Sequence, residues 1–431
     1  MGRNVLVLGG GGREHALAWR LASSPSVDRI ESAGSRNPGL AALGPLHPDL
    51  DITDGDAVAD LASSLGSDLV VVGPEAPLVA GVADVLRART IPVFGPSGAA
   101  ARLEGSKAFA KDVMLASGAP TGAWVQTSDV DEAHAALEQF GGPYVVKADG
   151  LAAGKGVTVT EDIEVARAAI RESLVDRRFG DAGASIVIEE FLSGPERSVF
   201  GVCDGEDVVL LAPAQDYKRA KDGDEGPNTG GMGAYLPVPG FGLGDVDHLR
   251  DLIFRPVLRE MAKRGAPFRG LLYAGIVDTA AGPKLLEFNA RFGDPETQVI
   301  LPALASDLAD LLYASAVGSP GGGGVADVKV AWHDDAFVTV VLASEGYPGD
   351  YPKGKAITGV DRAEAQDGVE AVFHAGTIIN EDKTLVTNGG RVLNVVGRGA
   401  TVADARTAAY NGARKISWWG AQKRRDIAAD I

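Results

Sequence analysis

The chain has 431 residues, 45% hydrophobic and 23% charged, a usage that supports a large buried core without disulfide staples. Its 41 Lys and Arg against 58 Asp and Glu give a formal charge of −17, which argues against a nucleic-acid partner but allows a locally basic cleft for a small phosphorylated ligand. A single cysteine, Cys203, excludes an intrachain disulfide and fits a reducing, cytoplasmic setting.

Val5–Leu8 reads as a strand that Gly9–Gly12 stops, and Arg13–Leu21 follows as a helix with Leu17 and Leu21 one turn apart. That apolar run is too short for a signal-peptide core, and no later run approaches the roughly 20 residues needed to cross a bilayer, so no membrane partner is expected. Leu69–Val72 is a second strand, ending at Gly73-Pro74-Glu75, and Ile91–Phe94 a third. Wholly apolar strands separated by helices predict a parallel α/β sheet covered on both faces, with ligands at the carboxyl ends of its strands. One helix is expected from Ser97 to Ala116. Residues 124–192 read as a second α/β unit, with strands Tyr144–Lys147, Val157–Thr160 and Ile186–Glu189 and a helix over Ile163–Leu174. A larger unit follows with strands Ser198–Val202, Val208–Ala212, Leu271–Val277 and Lys284–Asn289. The run Gly318–Gly324 reads as a linker, and Phe337–Ala343 opens a last, mostly β segment.

Several segments carry chemistry. On the strand Lys284–Asn289, alternation points Glu287 and Asn289 to one face, and two hard oxygens there suit Mg²⁺ shared with substrate phosphates. Arg291 and Asp294 follow at once and bring a guanidinium to the same place. Lys147 ends a strand and leads into a loop of small residues, Gly150 to Gly156, whose backbone could approach phosphates closely; it is not a P-loop. Lys107 alone reads as a helix-surface lysine. Glu189-Glu190-Phe191-Leu192 leaves a strand where exposed backbone could read a base edge, and Glu196 could accept from ribose hydroxyls. Gly226–Tyr235 reads as a long glycine loop beside Gln215–Arg219. Gly9–Gly12, opening a helix, suits a phosphate. It fits a dinucleotide fingerprint badly, although Glu31 sits where a ribose-binding acid would, so a nicotinamide-dependent oxidoreductase stays open on the residues alone. No Ser/His/Asp triad or metal-spaced His/Cys set is present.

Taken together, GGREHALAW (11–19), VVGPEAPL (71–78), LEGSKAFAK (103–111), VKADGLAAGKGV (146–157), IVIEEFLSG (186–194), GPNTGGMGAY (226–235), LEFNARFGDPETQ (286–298) and TNGGRVL (387–393) closely resemble the phosphoribosylamine–glycine ligase family of the ATP-grasp superfamily. The resemblance implies an α/β architecture: a Rossmann-like parallel-sheet domain at 1–102, an ATP-grasp domain at 103–325 with a lid subdomain near 124–192, and a mostly β domain at 326–431. It implies ATP as cosubstrate and Mg²⁺ or Mn²⁺ on Glu287 and Asn289. Lys107 and Lys147 would contact ATP phosphates, beneath a lid that includes Gly150, Gly154, Lys155 and Gly156. Glu189, Glu190, Phe191 and Leu192 would hold the adenine and Glu196 the ribose, with Arg219 and Asn228 facing the nucleotide. Arg291 and Asp294, with Lys155, would act on glycine or its acyl phosphate. Gly10, Gly11, Gly12, Arg13, Gly73, Pro74 and Glu75 would border the phosphate of 5-phosphoribosylamine, with Gly230, Gly231 and Met232 also on the substrate side. Whether the preceding enzyme of purine synthesis hands over that labile amine directly is left open, and another ATP-grasp ligase or carboxylase is the alternative. Four departures stand out. Gly10 and Tyr217 replace a polar residue and a histidine common in relatives, and Ala428 replaces a glycine. The segment Tyr273–Ile276 lacks the extra carboxylate many ATP-grasp enzymes carry there, which would leave Glu287 as the sole carboxylate ligand.

Overall fold

The computed structural model describes residues 2–151, 156–318 and 324–431, so Gly154, Lys155 and most of the expected linker lie outside the described residues. The first hundred residues build a five-stranded parallel sheet in the order Leu46–His47, Val27–Ala33, Arg3–Leu8, Leu69–Val72, Val93–Phe94. Along Arg3–Leu8 the side chains alternate between two cores, Leu6 and Leu8 in one, Val5 and Val7 in the other, which is why every residue from Val5 to Leu8 is apolar. The strand order turns back between Arg3–Leu8 and Leu69–Val72, and the two glycine turns at their carboxyl ends touch: Gly73 N–H donates to Leu8 O at 3.1 Å.

The helix expected from Ser97 to Ala116 is two helices, Gly98–Gly105 and Lys107–Ser117. Ser106 between them is extended, at φ −143° and ψ 116°, and its Oγ accepts from Phe109 N–H at 3.1 Å, which makes it the N-cap of the second helix. Asp149 Oδ1 accepts from Ser106 Oγ at 3.0 Å and from Ala108 N–H at 2.8 Å, tying this helix start to the end of the strand Tyr144–Ala148. Lys107 is therefore the first residue of the second helix.

Two antiparallel sheets follow. One runs Trp124–Thr127, Ile186–Glu189, Tyr144–Ala148, Val157–Thr160, with helices Val130–Phe140 and Ile163–Leu174 sharing its core. The other runs Val208–Leu210, Glu196–Asp204, Arg269–Thr279, Gly282–Asn289. A further five-stranded sheet orders Gln215–Asp216, Gly233–Leu236, Ala336–Ala343, Arg391–Gly399 and Val369–His374. Its first two strands come from well before the expected linker. The stretch 226–235, expected as a loop, is thus largely strand: Glu225–Asn228 pairs with Arg219–Lys221, and Gly233–Leu236 pairs with Ala336–Ala343. The reason is burial, because Ala234, Tyr235 and Leu236 are core residues that need the partner strand beside them. No helix among the described residues is long and apolar enough to cross a membrane.

Candidate active site

A cavity of about 710 Å³ lies among the two antiparallel sheets, the helix Lys107–Ser117 and the loop after Asn289. Glu287 and Asn289 both line it, on one face of the strand Gly282–Asn289. Gly275 pairs across from Glu287, and a Cβ built there would lie 3.4 Å from Glu287 Cγ, an ordinary van der Waals contact, so nothing crowds that carboxylate from across the strand. Burial alone would raise the pKa of Glu287, but Lys218, Lys147, Lys107 and Arg291 together pull it below the ordinary carboxylate range. The carboxylate is ionised in a wall rich in cations. No group of three or more His, Cys, Asp or Glu that could hold a metal by themselves exists among the described residues. An ionised carboxylate and an amide oxygen fit a hard divalent cation whose other ligands are phosphate oxygens and water.

The cation wall is built in layers. Lys147 Nζ lies 3.0 Å from Glu189 Oε1, and Lys111 Nζ lies 2.8 Å from Glu189 Oε2, all three side chains being buried. The Glu189 carboxylate is therefore taken by two lysines, leaving backbone and the neighbouring residues to meet a base. Glu190 pairs with Lys284 at 2.6 Å, and its N–H donates to Ala123 O at 3.0 Å. Phe191 and Leu192 line the cavity, with Phe191 44% exposed. Burial and Lys147 push the ammonium of Lys107 toward neutrality while Glu287 opposes them. Glu196 bonds Lys218, and Arg219 Nη1 donates to Gly226 O at 2.9 Å opposite Asn228; all four of Glu196, Lys218, Arg219 and Asn228 line the cavity.

Arg291 is locked by carboxylates from the N-terminal half, Glu104 at 2.8 Å and Glu75 at 3.5 Å. Asp294 receives Arg391 Nη2 at 3.0 Å and Gln298 Nε2 at 2.7 Å. Arg391 Nη1 also donates to Asp294 O at 2.6 Å and to Gly230 O, while Gly230 N–H donates to the Tyr347 hydroxyl at 3.0 Å. A Cβ on Gly230 would lie 2.9 Å from Arg391 Cζ, so only glycine lets the guanidinium cover this peptide. Gly231 and Met232 do not line the cavity, and Met232 is 2% exposed within the body.

At the glycine turns the geometry adds a tenant. Glu14 Oε2 accepts from Gly11 N–H, and Cβ atoms placed on Gly9, Gly11 or Gly73 would come within 2.4–2.8 Å of the Glu14 side chain. The glycines thus make space for a buried carboxylate, whose pKa is raised by burial against the pull of Arg13. Arg13 Nη1 donates to Gly73 O at 3.1 Å and lies 3.2 Å from Glu14 Oε1; with Glu75 it reaches the cavity, whereas Gly10, Gly11, Gly12, Gly73 and Pro74 do not line it. Ser35 occupies the space a side chain on Gly10 would need. Glu31 is spent on His47 at 2.6 Å and Arg29 at 2.9 Å, which takes the ribose-binding acid out of the nicotinamide reading. Gly150 N–H bonds Ala182 O at 3.0 Å and Gly156 O accepts from Ala148 N–H at 2.7 Å, both outside the lining.

Two of the departures explain each other. The Tyr217 hydroxyl accepts from Ala428 N–H at 2.9 Å, and Ala428 has φ 53°, the left-handed region that favours glycine. Tyr217 lies outside the cavity lining and closes the C-terminal turn with Arg424 stacked on its ring at 4.8 Å. The lining also includes residues that were given no role from the sequence, among them Lys111, Lys218, Glu104, Glu296, Tyr347 and Arg391. Lys218 stands in the run beside the glycine loop and could have been weighed with Arg219; Glu104, Lys111, Glu296 and Arg391 lie within the family segments quoted above, which gave them no role of their own.

Family models for phosphoribosylglycinamide synthetase match the chain in three parts: the N domain over residues 3–104, the ATP-grasp (A) domain over 105–297 and the C domain over 337–430. The phosphoribosylamine–glycine ligase of Streptomyces coelicolor is 54% identical over 99% of this chain and 98% of its own length. That of Mesorhizobium japonicum is 51% identical over 98% and 97%. The crystal structure of phosphoribosylamine–glycine ligase from Thermotoga maritima superposes with a TM-score of 0.83 at 34% identity, covering 98% of this chain and all of that one. At 16% identity, the biotin carboxylase domain of the 2-oxoglutarate carboxylase of Hydrogenobacter thermophilus shares the fold, with a TM-score of 0.72 over 98% of this chain and 92% of its own. The chain belongs to the phosphoribosylamine–glycine ligase family of ATP-dependent, ATP-grasp ligases.

Proposed function

We propose that the cavity ligates glycine to 5-phosphoribosylamine, with Lys107, Lys147, Glu287, Asn289 and Arg291 meeting the reacting groups. The observation that carries this reading is the gathering of those five side chains, from the helix, the two antiparallel sheets and the following loop, on one cavity. A carboxylate is a poor electrophile. Transfer of the γ-phosphoryl group of ATP to glycine gives glycyl phosphate and ADP. The ribosylamine nitrogen then attacks the acyl carbon, phosphate leaves, and the product is glycinamide ribonucleotide, an early step of purine synthesis.

Lys107 and Lys147 hold the ATP phosphates and offset charge that builds on the transferring group. The segment Glu189–Leu192 offers backbone and the exposed Phe191 ring to the adenine, Glu196 takes the ribose, and Arg219 and Asn228 border the nucleotide. Arg291 orients the glycine carboxylate, and Asp294, held by Arg391, faces the amine. Of the turns Gly10–Arg13 and Gly73–Glu75, Arg13 and Glu75 reach the cavity and flank the ribosyl phosphate, and the segment that includes Gly154 and Lys155 shields glycyl phosphate from water. ATP and a divalent cation go with the ATP-grasp family. Glu287 and Asn289 would hold Mg²⁺ or Mn²⁺, which when bound supplies Lewis-acid charge to the phosphates. The parts of the chain divide near residues 102 and 325, with Gln215–Asp216 and Gly233–Leu236 lent to the C-terminal sheet.

The test is ADP release by purified protein with MgATP and glycine, with and without phosphoribosylamine made in situ from ribose 5-phosphate and ammonia. Release that requires both, with one glycinamide ribonucleotide per ADP, is expected. Release that ignores glycine but follows bicarbonate or formate would overturn the substrate assignment.

A further inference from the structure

Lys111 stands outside every site residue the motifs single out, yet it is 2% exposed in the wall of the cavity. The helix Lys107–Ser117 places it one turn after Lys107 on the same face. Its ammonium shares the Glu189 carboxylate with Lys147, at 2.8 Å to Oε2 against 3.0 Å from Lys147 to Oε1. It also donates to Thr121 Oγ1 at 2.9 Å, and that hydroxyl donates to Leu285 O at 2.8 Å on the strand that carries Glu287. One chain of contacts therefore runs from Lys147 through Glu189, Lys111 and Thr121 to the strand beneath the candidate metal site.

On this wall three ammoniums, Lys107, Lys111 and Lys147, face two carboxylates, Glu189 and Glu287. Burial drives Lys111 toward the neutral form, while Glu189 and, more weakly, Glu287 hold it charged. The ammonium in excess is met when an anion enters the cavity. If Lys111 were absent, both oxygens of Glu189 would be free for Lys147 and would cancel its charge. We propose that Lys111 is a positioning residue for the nucleotide phosphates: it occupies Oε2 of Glu189 and so keeps the charge of Lys147 available to them. This rests on the reading of the cavity as an ATP site.

The experiment measures MgATP affinity by titration calorimetry, and KM for ATP and for glycine separately, in wild type, Lys111→Met and Lys111→Gln. Thermal melts check folding. Lys111→Met should weaken MgATP by about tenfold or more, the effect of losing one full charge contact in a wall of intermediate dielectric, with the glycine KM within about twofold. Lys111→Gln keeps an amide donor for Glu189 and Thr121 while losing the charge, so it decides the matter even if Lys111→Met does not fold. It should weaken MgATP to a similar extent. A folded variant of either kind that binds MgATP as wild type would overturn the proposal. Wild-type protein that ignores MgATP would instead overturn the nucleotide reading, and this inference with it.

Discussion

Replacing Glu287 by Gln keeps the shape of the side chain and removes one negative charge from a site ringed by Lys218, Lys147, Lys107 and Arg291. Across the strand, nothing at Gly275 crowds either side chain, so the backbone has no reason to move. A charged contact aimed at a transferring phosphoryl group in a water-poor site is worth about 3–4 kcal/mol, so kcat should fall by about 10²–10³. Stability gives an independent readout. Because the pKa of Glu287 is lowered in the folded protein, its contribution is present above the ordinary carboxylate value of 4.5 and is lost as pH falls through the lower folded value. The variant should therefore melt below wild type at pH 7, and the gap should close in acid. Steady-state ADP release with MgATP, glycine and phosphoribosylamine measures the first effect, and melts across pH the second. A folded variant whose kcat stays within about threefold of wild type would refute the argument, since no interaction made in the transition state would then pass through that carboxylate.

Gly12→Ala should destabilise by about 1–3 kcal/mol, because the new Cβ would sit 2.6 Å from Asn394 Nδ2 and 2.8 Å from Gln298 Nε2, and denaturant melts will show it. Arg391→Met removes the bridge joining Asp294 to Gly230 and should cost at least about tenfold in kcat/KM for glycine or the ribosylamine, with ATP affinity little changed. His15 Nδ1 accepts the His374 backbone N–H at 2.8 Å and so must be unprotonated there. Burial holds His15 down to about 3 and His374 to about 4 from the usual 6.5, so stability should be full above the usual value and fall as pH drops from it toward those values. A His374→Gln variant should lose less stability than wild type between neutral and mildly acid pH, measured by chemical denaturation.

Strands that are buried on both faces, such as Val5–Leu8 and Leu69–Val72, were legible because a wholly apolar run has few other places to sit. That Glu287 and Asn289 share one face was legible for a related reason: a two-residue period puts them together whatever surrounds them. The helix break at Ser106 was hidden because the capping partner, Asp149, is distant in sequence. Gly233–Leu236 looked like loop because glycines mask a strand whose stability comes from Ala336–Ala343. The glycine turn at Gly9–Gly12 was read as a seat for phosphate alone, while the bulk it accommodates includes its own Glu14. Lys111 and Arg391 act across elements, and no local window of sequence shows that two cations share one carboxylate or that one guanidinium spans two loops.

The strand Gly233–Leu236 lies beside the cavity loop Thr229–Gly230, and Leu236 pairs with Phe337. During synthesis this strand leaves the ribosome long before its neighbour, and it presents an unpaired edge until then. Folding of the ligase site therefore cannot finish as each segment emerges; it waits for the chain's last third. A protein shortened before Ala336 would not be a working enzyme lacking an accessory module. It would carry an exposed sheet edge next to the cavity loop, and its first failure should be aggregation.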